Sequence, residues 1–218
     1  MNGGRVRPPF TFYKQMAKNY LEIAFTESVK AQQNIYGSRR QYERAEAVER
    51  GTELSFPEAD FIQERDSFYL ATVSENGQPY LQFRGGEKGF LKVLDNKTLG
   101  YADFRGNLQY ISVGNLAENN RASLILMNYP KRQRLKIFVR IEVFTASDVP
   151  ELITKLENTD YKAKIERAMI LHVEAFDWNC PQHITPRYTI EEIKEMNQPL
   201  YEHIEKLEQE IKELKDKN

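Results

Sequence analysis

Phe68-Tyr69-Leu70-Ala71-Thr72-Val73-Ser74-Glu75-Asn76-Gly77-Gln78-Pro79-Tyr80-Leu81-Gln82-Phe83-Arg84 reads as two strands around a tight turn. The first six residues are rich in aromatic and β-branched side chains, which suits extended backbone, and Asn76-Gly77 is the strongest short hairpin signal. Working outward, residues 90–94 and 98–103 form a second pair around the turn composition Asp95-Asn96-Lys97. Residues 122–129 and 135–145 are longer apolar strands joined by the basic turn Pro130-Lys131-Arg132-Gln133-Arg134, and residues 168–176 form the last strand. Helices are predicted among them only over residues 110–118 and from Ser147-Asp148-Val149-Pro150-Glu151 onward. Many antiparallel strands with few helices predict a closed or nearly closed barrel, since a doubly wound parallel sheet needs a helix after nearly every strand.

The ends of the chain read differently. Residues 26–36 and 38–50 form helices that stop at Gly37 and Gly51, and a short third helix covers residues 57–64. Ser38 with Gln41, and Ser55 with Glu58, have capping-box spacing, with Pro57 in the first turn of the third helix. In the tail, Thr189 and Glu192 form another box. Ile193, Met196, Leu200, Ile204, Leu207, Ile211 and Leu214 then recur in an amphipathic, heptad-like stripe. Pro199 is expected to split this tail into two helices. The stripe packs either on its own barrel or on a partner chain. The predicted organisation is a helical extension over residues 1–56, a barrel domain over 57–188 and a C-terminal amphipathic helix over 189–218.

Composition narrows the function. The 218-residue chain carries 29% charged and 40% hydrophobic residues with a net charge of −1, an ordinary globular balance without a global pull toward nucleic acid. Its single cysteine, Cys180, forms no internal disulfide, and the first twelve residues lack a secretory signal pattern. No segment approaches the roughly 20 apolar residues that span a bilayer. A cytoplasmic protein is expected. Phosphate-loop, dinucleotide and nucleophile-elbow motifs are absent. Cys180 and His183 lie in a C-x-x-H arrangement, short of the four ligands of a structural zinc site, so no metal is expected.

Three segments carry chemistry. Gln82-Phe83-Arg84-Gly85-Gly86 ends a strand with a cation and two glycines that allow close approach to the backbone. Tyr101-Ala102-Asp103-Phe104-Arg105-Gly106-Asn107-Leu108-Gln109-Tyr110 runs from a strand end through a turn into a helix N-terminus, where free amides and Arg105 suit an anion. Arg132, Arg134 and Lys136 could close that cradle, or form an exposed basic turn. The third segment, Trp178-Asn179-Cys180-Pro181-Gln182-His183-Ile184-Thr185-Pro186-Arg187, sets the only tryptophan among amides, an imidazole and prolines. It can wall a heterocycle or serve as a plain crossover.

Taken in order, these segments resemble the pyridoxamine 5'-phosphate oxidase-like, FMN-binding split-barrel family. The resemblance is carried by Arg65 to Val73, Gly77-Gln78-Pro79-Tyr80, Arg84-Gly85-Gly86, Gly89-Phe90-Leu91, Tyr101-Ala102-Asp103, Gly106-Asn107, Gln109-Tyr110-Ile111-Ser112 and Gly114-Asn115-Leu116. It implies a mainly β fold with flanking helices, a six-stranded antiparallel split β-barrel. It also implies a homodimer with FMN at the interface. By the same resemblance, Gln82, Arg84, Gly85, Gly86, Tyr101, Ala102 and Asp103 contact the ring and ribityl groups. Arg105, Gly106, Asn107, Gln109 and Tyr110 hold the phosphate, with Arg134 as a further candidate. Trp178, Gln182, His183 and Arg187 lie near the flavin ring or its substrate side. The turn has Arg105-Gly106-Asn107 where true pyridoxamine phosphate oxidases have a consecutive Arg-Lys pair, and their C-terminal arginine–histidine segment is missing, which speaks against vitamin B6 as substrate. The expected activity is FMN-dependent oxidoreduction of a small molecule, with His183 as proton donor or plain hydrogen-bond partner to the substrate and Arg84 or Arg187 beside the reduced flavin. The alternative is a non-catalytic flavin-binding or redox-sensing module.

Overall fold

The computed structural model describes residues 19–48, 51–158 and 161–216. Its seven strands are β1 (Ser67–Val73), β2 (Pro79–Gly85), β3 (Lys92–Val93), β4 (Thr98–Phe104), β5 (Arg121–Asn128), β6 (Gln133–Thr145) and β7 (Ile165–Trp178). They form one antiparallel sheet in the order β2-β1-β5-β6-β7-β4-β3. The hairpin read from Asn76-Gly77 pairs Val73 with Pro79 and Ser67 with Gly85, and Gly77 takes the positive φ (83°) that the turn requires.

Six of these strands are substantial. The strand expected over residues 90–94 shrinks to two residues, because Phe90 and Leu91 are both buried instead of alternating. The preceding loop is also tied away from the sheet, with Gly86 N–H donating to the Asp66 carbonyl and Gly89 N–H to the Arg65 carbonyl.

The sheet wraps around its own core. Phe68 on β1 meets Tyr101 on β4 edge-on at 5.4 Å, although β5, β6 and β7 separate those strands in sheet order. Phe68 also stacks on Phe90 at 5.6 Å. Along β5 and β6 nearly every second residue is buried, the period-two signature of a sheet with one covered face. β4 is buried on both faces, because α6 (Pro150–Leu156) lies outside it. Leu156 clusters there with Ala102, Ala168 and Ile170. That close approach needs Gly100, where a Cβ would stand 2.8 Å from Leu156 Cδ2.

Among the described residues four helices precede the sheet: α1 (Tyr20–Ala24), α2 (Glu27–Ile35), α3 (Arg39–Glu46) and α4 (Phe56–Gln63). Ser38 makes no capping bond; it is already helical, and the neighbouring Arg39 binds Gln33 (2.8 Å) and Glu46 instead. The second box does form, with Glu58 accepting from the Ser55 N–H (3.1 Å) and hydroxyl.

Glu58 also accepts the Trp178 indole N–H at 2.8 Å, and the indole meets Phe61 edge-on at 4.7 Å. The only tryptophan thus joins α4 to the end of β7. Burial alone would raise the Glu58 pKa, but the Ser55 and Trp178 hydrogen bonds outweigh it and hold the carboxyl below its ordinary 4.5. A depressed carboxylate stabilises the fold above that ordinary value and loses this contribution as pH falls through the folded value. Trp178→Phe should therefore cost about 1–3 kcal/mol at neutral pH and flatten the acid-side loss of stability. Denaturant melts at pH 7 and pH 4 check both; an unchanged midpoint at each pH would refute the strut.

Helix α5 (Ile111–Glu118) follows β4, and α7 (Ile190–Asp216) forms the tail. The expected break at Pro199 does not occur, since α7 runs through it for 27 residues. A proline removes one backbone bond, a penalty of about 3 kcal/mol that the surrounding turns absorb. The chain divides into two compact units. The first holds the described residues up to Leu126 with Leu135–Trp178; the second holds Met127–Arg134 with the described residues from Asn179 onward. No helix among the described residues is long and apolar enough to cross a membrane.

Candidate functional site

The edge strand β2 alternates strictly. Leu81 and Phe83 face outward and are exposed, whereas Tyr80, Gln82 and Arg84 face inward and line a cleft of about 170 Å3. The end of β4 and the start of α5 supply the other walls, with Asp103, Gly106, Asn107, Gln109, Tyr110 and Ser112, and β7 adds Arg167.

Asp103 organises this cleft. It is 2% exposed and accepts from Arg84 Nη1 at 2.7 Å on one carboxylate oxygen and from Arg167 Nε at 2.8 Å on the other. Arg167 stands directly opposite Asp103 in the β4–β7 register, so the pair is also a cross-strand ion pair. Arg167 donates further to Glu166 at 3.0 Å, and its guanidinium lies 4.9 Å from the centre of the Tyr110 ring. Burial works to lower the Arg167 pKa, but Asp103 and then Glu166 outweigh it and secure the charge. Arg105, half exposed, approaches Glu166 at 3.7 Å. Three guanidiniums thus share two carboxylates, and one positive charge is left in excess.

Donors without acceptors accompany that charge. Arg84 Nε is buried and makes no hydrogen bond, and the buried Tyr101 hydroxyl has no partner. Burial pushes the Tyr101 phenol well above its usual range, so it stays protonated. Gly106 has open space where a Cβ would stand. The turn around it holds two non-glycine residues at positive φ, Leu108 (63°) and Tyr110 (52°). Such backbone costs about 1–2 kcal/mol per residue and concentrates at ligand-binding turns. Gln82 is held in place by the Ser112 hydroxyl (2.8 Å), and the Asn107 carboxamide oxygen accepts the Gln109 N–H (3.2 Å). The set fits an anionic group such as a phosphate monoester, with charge, amide donors and room beside the backbone.

The predicted site residues divide into four groups. Gln82, Arg84, Asp103, Gly106, Asn107, Gln109 and Tyr110 converge on the cleft, with Arg105 beside it. Gly85 and Gly86 line a second, more open hollow of about 440 Å3 with Asp66, Ser67, Phe83 and Tyr161. At Gly86 the glycine makes room for the Phe90 ring, which a Cβ would meet at 2.8 Å. Tyr101 and Ala102 lie in the two hydrophobic clusters on either side of β4. Trp178 is engaged with Glu58, and Arg134, Gln182, His183 and Arg187 belong to the second unit. There Asn179 N–H donates to the Arg134 carbonyl (3.2 Å), and the Arg187 guanidinium lies 5.0 Å from the centre of the Tyr129 ring. Among the described residues no cluster of three or more histidine, cysteine, aspartate or glutamate side chains could hold a metal ion.

The sequence reading missed Arg167. Its partner Asp103 is 64 residues away, and only the antiparallel pairing of β4 with β7 could have revealed the contact.

The family model described as Pyridoxamine 5'-phosphate oxidase matches residues 58–178, the span that contains the sheet and the cleft. No curated protein matches the chain. Solved structures similar to it include an FMN-binding protein from Syntrophomonas wolfei subsp. wolfei, 19% identical over 71% of this chain and 96% of that one, with a TM-score of 0.44. A protein from Clostridium acetobutylicum related to general stress protein 26 (pyridoxinephosphate oxidase family) is 17% identical over 62% and 92%, with a TM-score of 0.35. HutZ, the heme storage protein from Vibrio cholerae, is 15% identical over 54% and 89%, with a TM-score of 0.34.

Proposed function

Because this chain belongs to the pyridoxamine 5'-phosphate oxidase family, we propose that its cleft binds FMN and that the protein is an FMN-dependent oxidoreductase acting on a small molecule. The observation that carries this reading is the Arg84–Asp103–Arg167 cluster, with an unpartnered buried Arg84 Nε beside the open backbone at Gly106. When bound, FMN supplies hydride transfer.

The protein's part is to bind and orient. Arg167, Arg105, Asn107 and Gln109 hold the phosphate, while Asp103 keeps Arg84 aimed into the cleft. Arg84 stabilises negative charge as it develops, and Gln82, fixed by Ser112, offers its amide to the ring edge.

Ligand sites of this class measure about 300–1,000 Å3, so a cleft of about 170 Å3 holds only part of FMN. A second copy completes it, which makes the protein a homodimer with FMN at the interface. The exposed Leu81 and Phe83 on the β2 edge supply an apolar surface for that contact. The free, exposed Cys180 suits a reducing, cytoplasmic setting.

A non-catalytic flavin-binding or redox-sensing module is favoured by one feature. Among the described residues, Asp103 is the only carboxylate lining the cleft, and two guanidiniums occupy it, so no base is free there. Multiple turnovers with a nicotinamide reductant would rule that module out.

The test is the visible spectrum of protein purified without added cofactor, with mass identification of any released chromophore. Flavin absorbance with FMN near one per chain is expected. Arg84→Met should weaken FMN binding roughly 10- to 100-fold, the value of one charge-assisted contact. Colourless protein that also ignores added FMN would overturn the reading.

A further inference from the structure

Every heptad of α7 repeats one pattern. With Ile204 and Ile211 as a positions, Ile190 and Asn197 are also a, while Ile193, Leu200, Leu207 and Leu214 are all d. The helix therefore carries isoleucine at three of its four a positions with asparagine at the fourth, and leucine at three of its four d positions with Ile193 at the first, over about four heptads. Ile190, Ile193, Leu200, Ile204, Leu207 and Ile211 are each 42–67% exposed, and no residue of the described helix is buried. Such a seam is far more apolar than a solvated helix surface needs.

We infer that α7 pairs with α7 of a second copy of this chain as a parallel, in-register, two-stranded coiled coil. The side chains select that occupant. β-branched a positions with leucine at d favour two parallel strands over three or four, and a single a-position asparagine fixes register by meeting its own copy. Antiparallel pairing would set Asn197 against leucine. The flanks agree, since in the parallel register g meets e of the next heptad. Glu210 then faces the partner's Lys215, His203 faces the partner's Glu208, and Met196 faces the partner's Tyr201. Pro199 falls at c, on the outer face, where its missing N–H disturbs no contact of the seam. An in-register parallel pair is isologous and closes at two chains. The inference rests on the tail alone, and stands or falls independently of flavin binding.

Cysteine trapping in the full-length protein tests it. In a Cys180→Ser background, Ile211→Cys places a thiol in the seam and Lys212→Cys places one outside it. Disulfides need Cα atoms about 4.4–6.8 Å apart, so under mild oxidation the first variant should crosslink into two-chain species roughly tenfold faster than the second. No crosslinking at position 211 would overturn the pairing and leave the helix to another surface. Equal rates at 211 and 212 would also overturn it, since they would mark random collision of unpaired tails. A native mass that is a multiple of three chains would overturn the two-stranded assignment.

Discussion

Asp103→Ala is expected to destabilise the protein by about 3–5 kcal/mol, the usual result of removing one partner from a buried charge cluster. Asp103 is 2% exposed and accepts from two guanidiniums that are themselves only 16–17% exposed. Removing its carboxylate leaves Arg84 without a counter-ion and Arg167 with Glu166 alone, in a site with little water. Denaturant unfolding should show the midpoint fall with little change in slope. The variant should also lose flavin, because Arg84 and Arg167 would no longer be held in the cleft. A companion replacement separates the two effects. Arg84→Met with Asp103→Leu and Arg167→Met removes all three members of the buried ion-pair set and leaves Glu166 to Arg105, so it should recover much of the lost stability. It should still fail to bind FMN. If Asp103→Ala alone costs less than about 1 kcal/mol, the cluster is solvated and does not organise the cleft.

Phe68→Ala should cost about 3–5 kcal/mol. Its ring is 2% exposed and touches both Phe90 and Tyr101, so it joins β1 to β4 across the interior and closes the curl of the sheet. The neighbours come from different segments of chain, and the cavity cannot collapse without moving a strand. A loss near the top of the range is expected, with earlier amide exchange in β4 than in the wild type. A loss under about 1.5 kcal/mol would mean that the two sides of the sheet are joined elsewhere.

The elements were legible because their signals are local. Aromatic and β-branched content along residues 68–73, Asn76-Gly77 at the turn, and Ser55 with Glu58 at a helix start each act within a few residues, and each formed as read. Much of the cradle was legible for the same reason, since Arg105 to Tyr110 lie together in sequence. Local signals failed where a distant contact outweighed them. Phe90 and Leu91 have strand character, yet both are drawn into the core and β3 keeps only two residues. Gly86 was read for backbone access alone, and its missing side chain also makes room for the Phe90 ring. Pro199 announced a break, but one lost hydrogen bond is small against a helix of 27 residues.

By itself the sequence determined where most of the strands and helices lie, the antiparallel barrel class, and the heptad seam of the tail. Only the tertiary structure decided that Arg167 completes the cleft, that Trp178 holds α4 through Glu58, and that Tyr101 and Ala102 serve the core on either side of β4. Propensity, capping and periodicity are energies between residues a few positions apart. The partner of a buried charge or ring is set instead by strand order and register, to which residues 64 or 120 positions apart contribute equally.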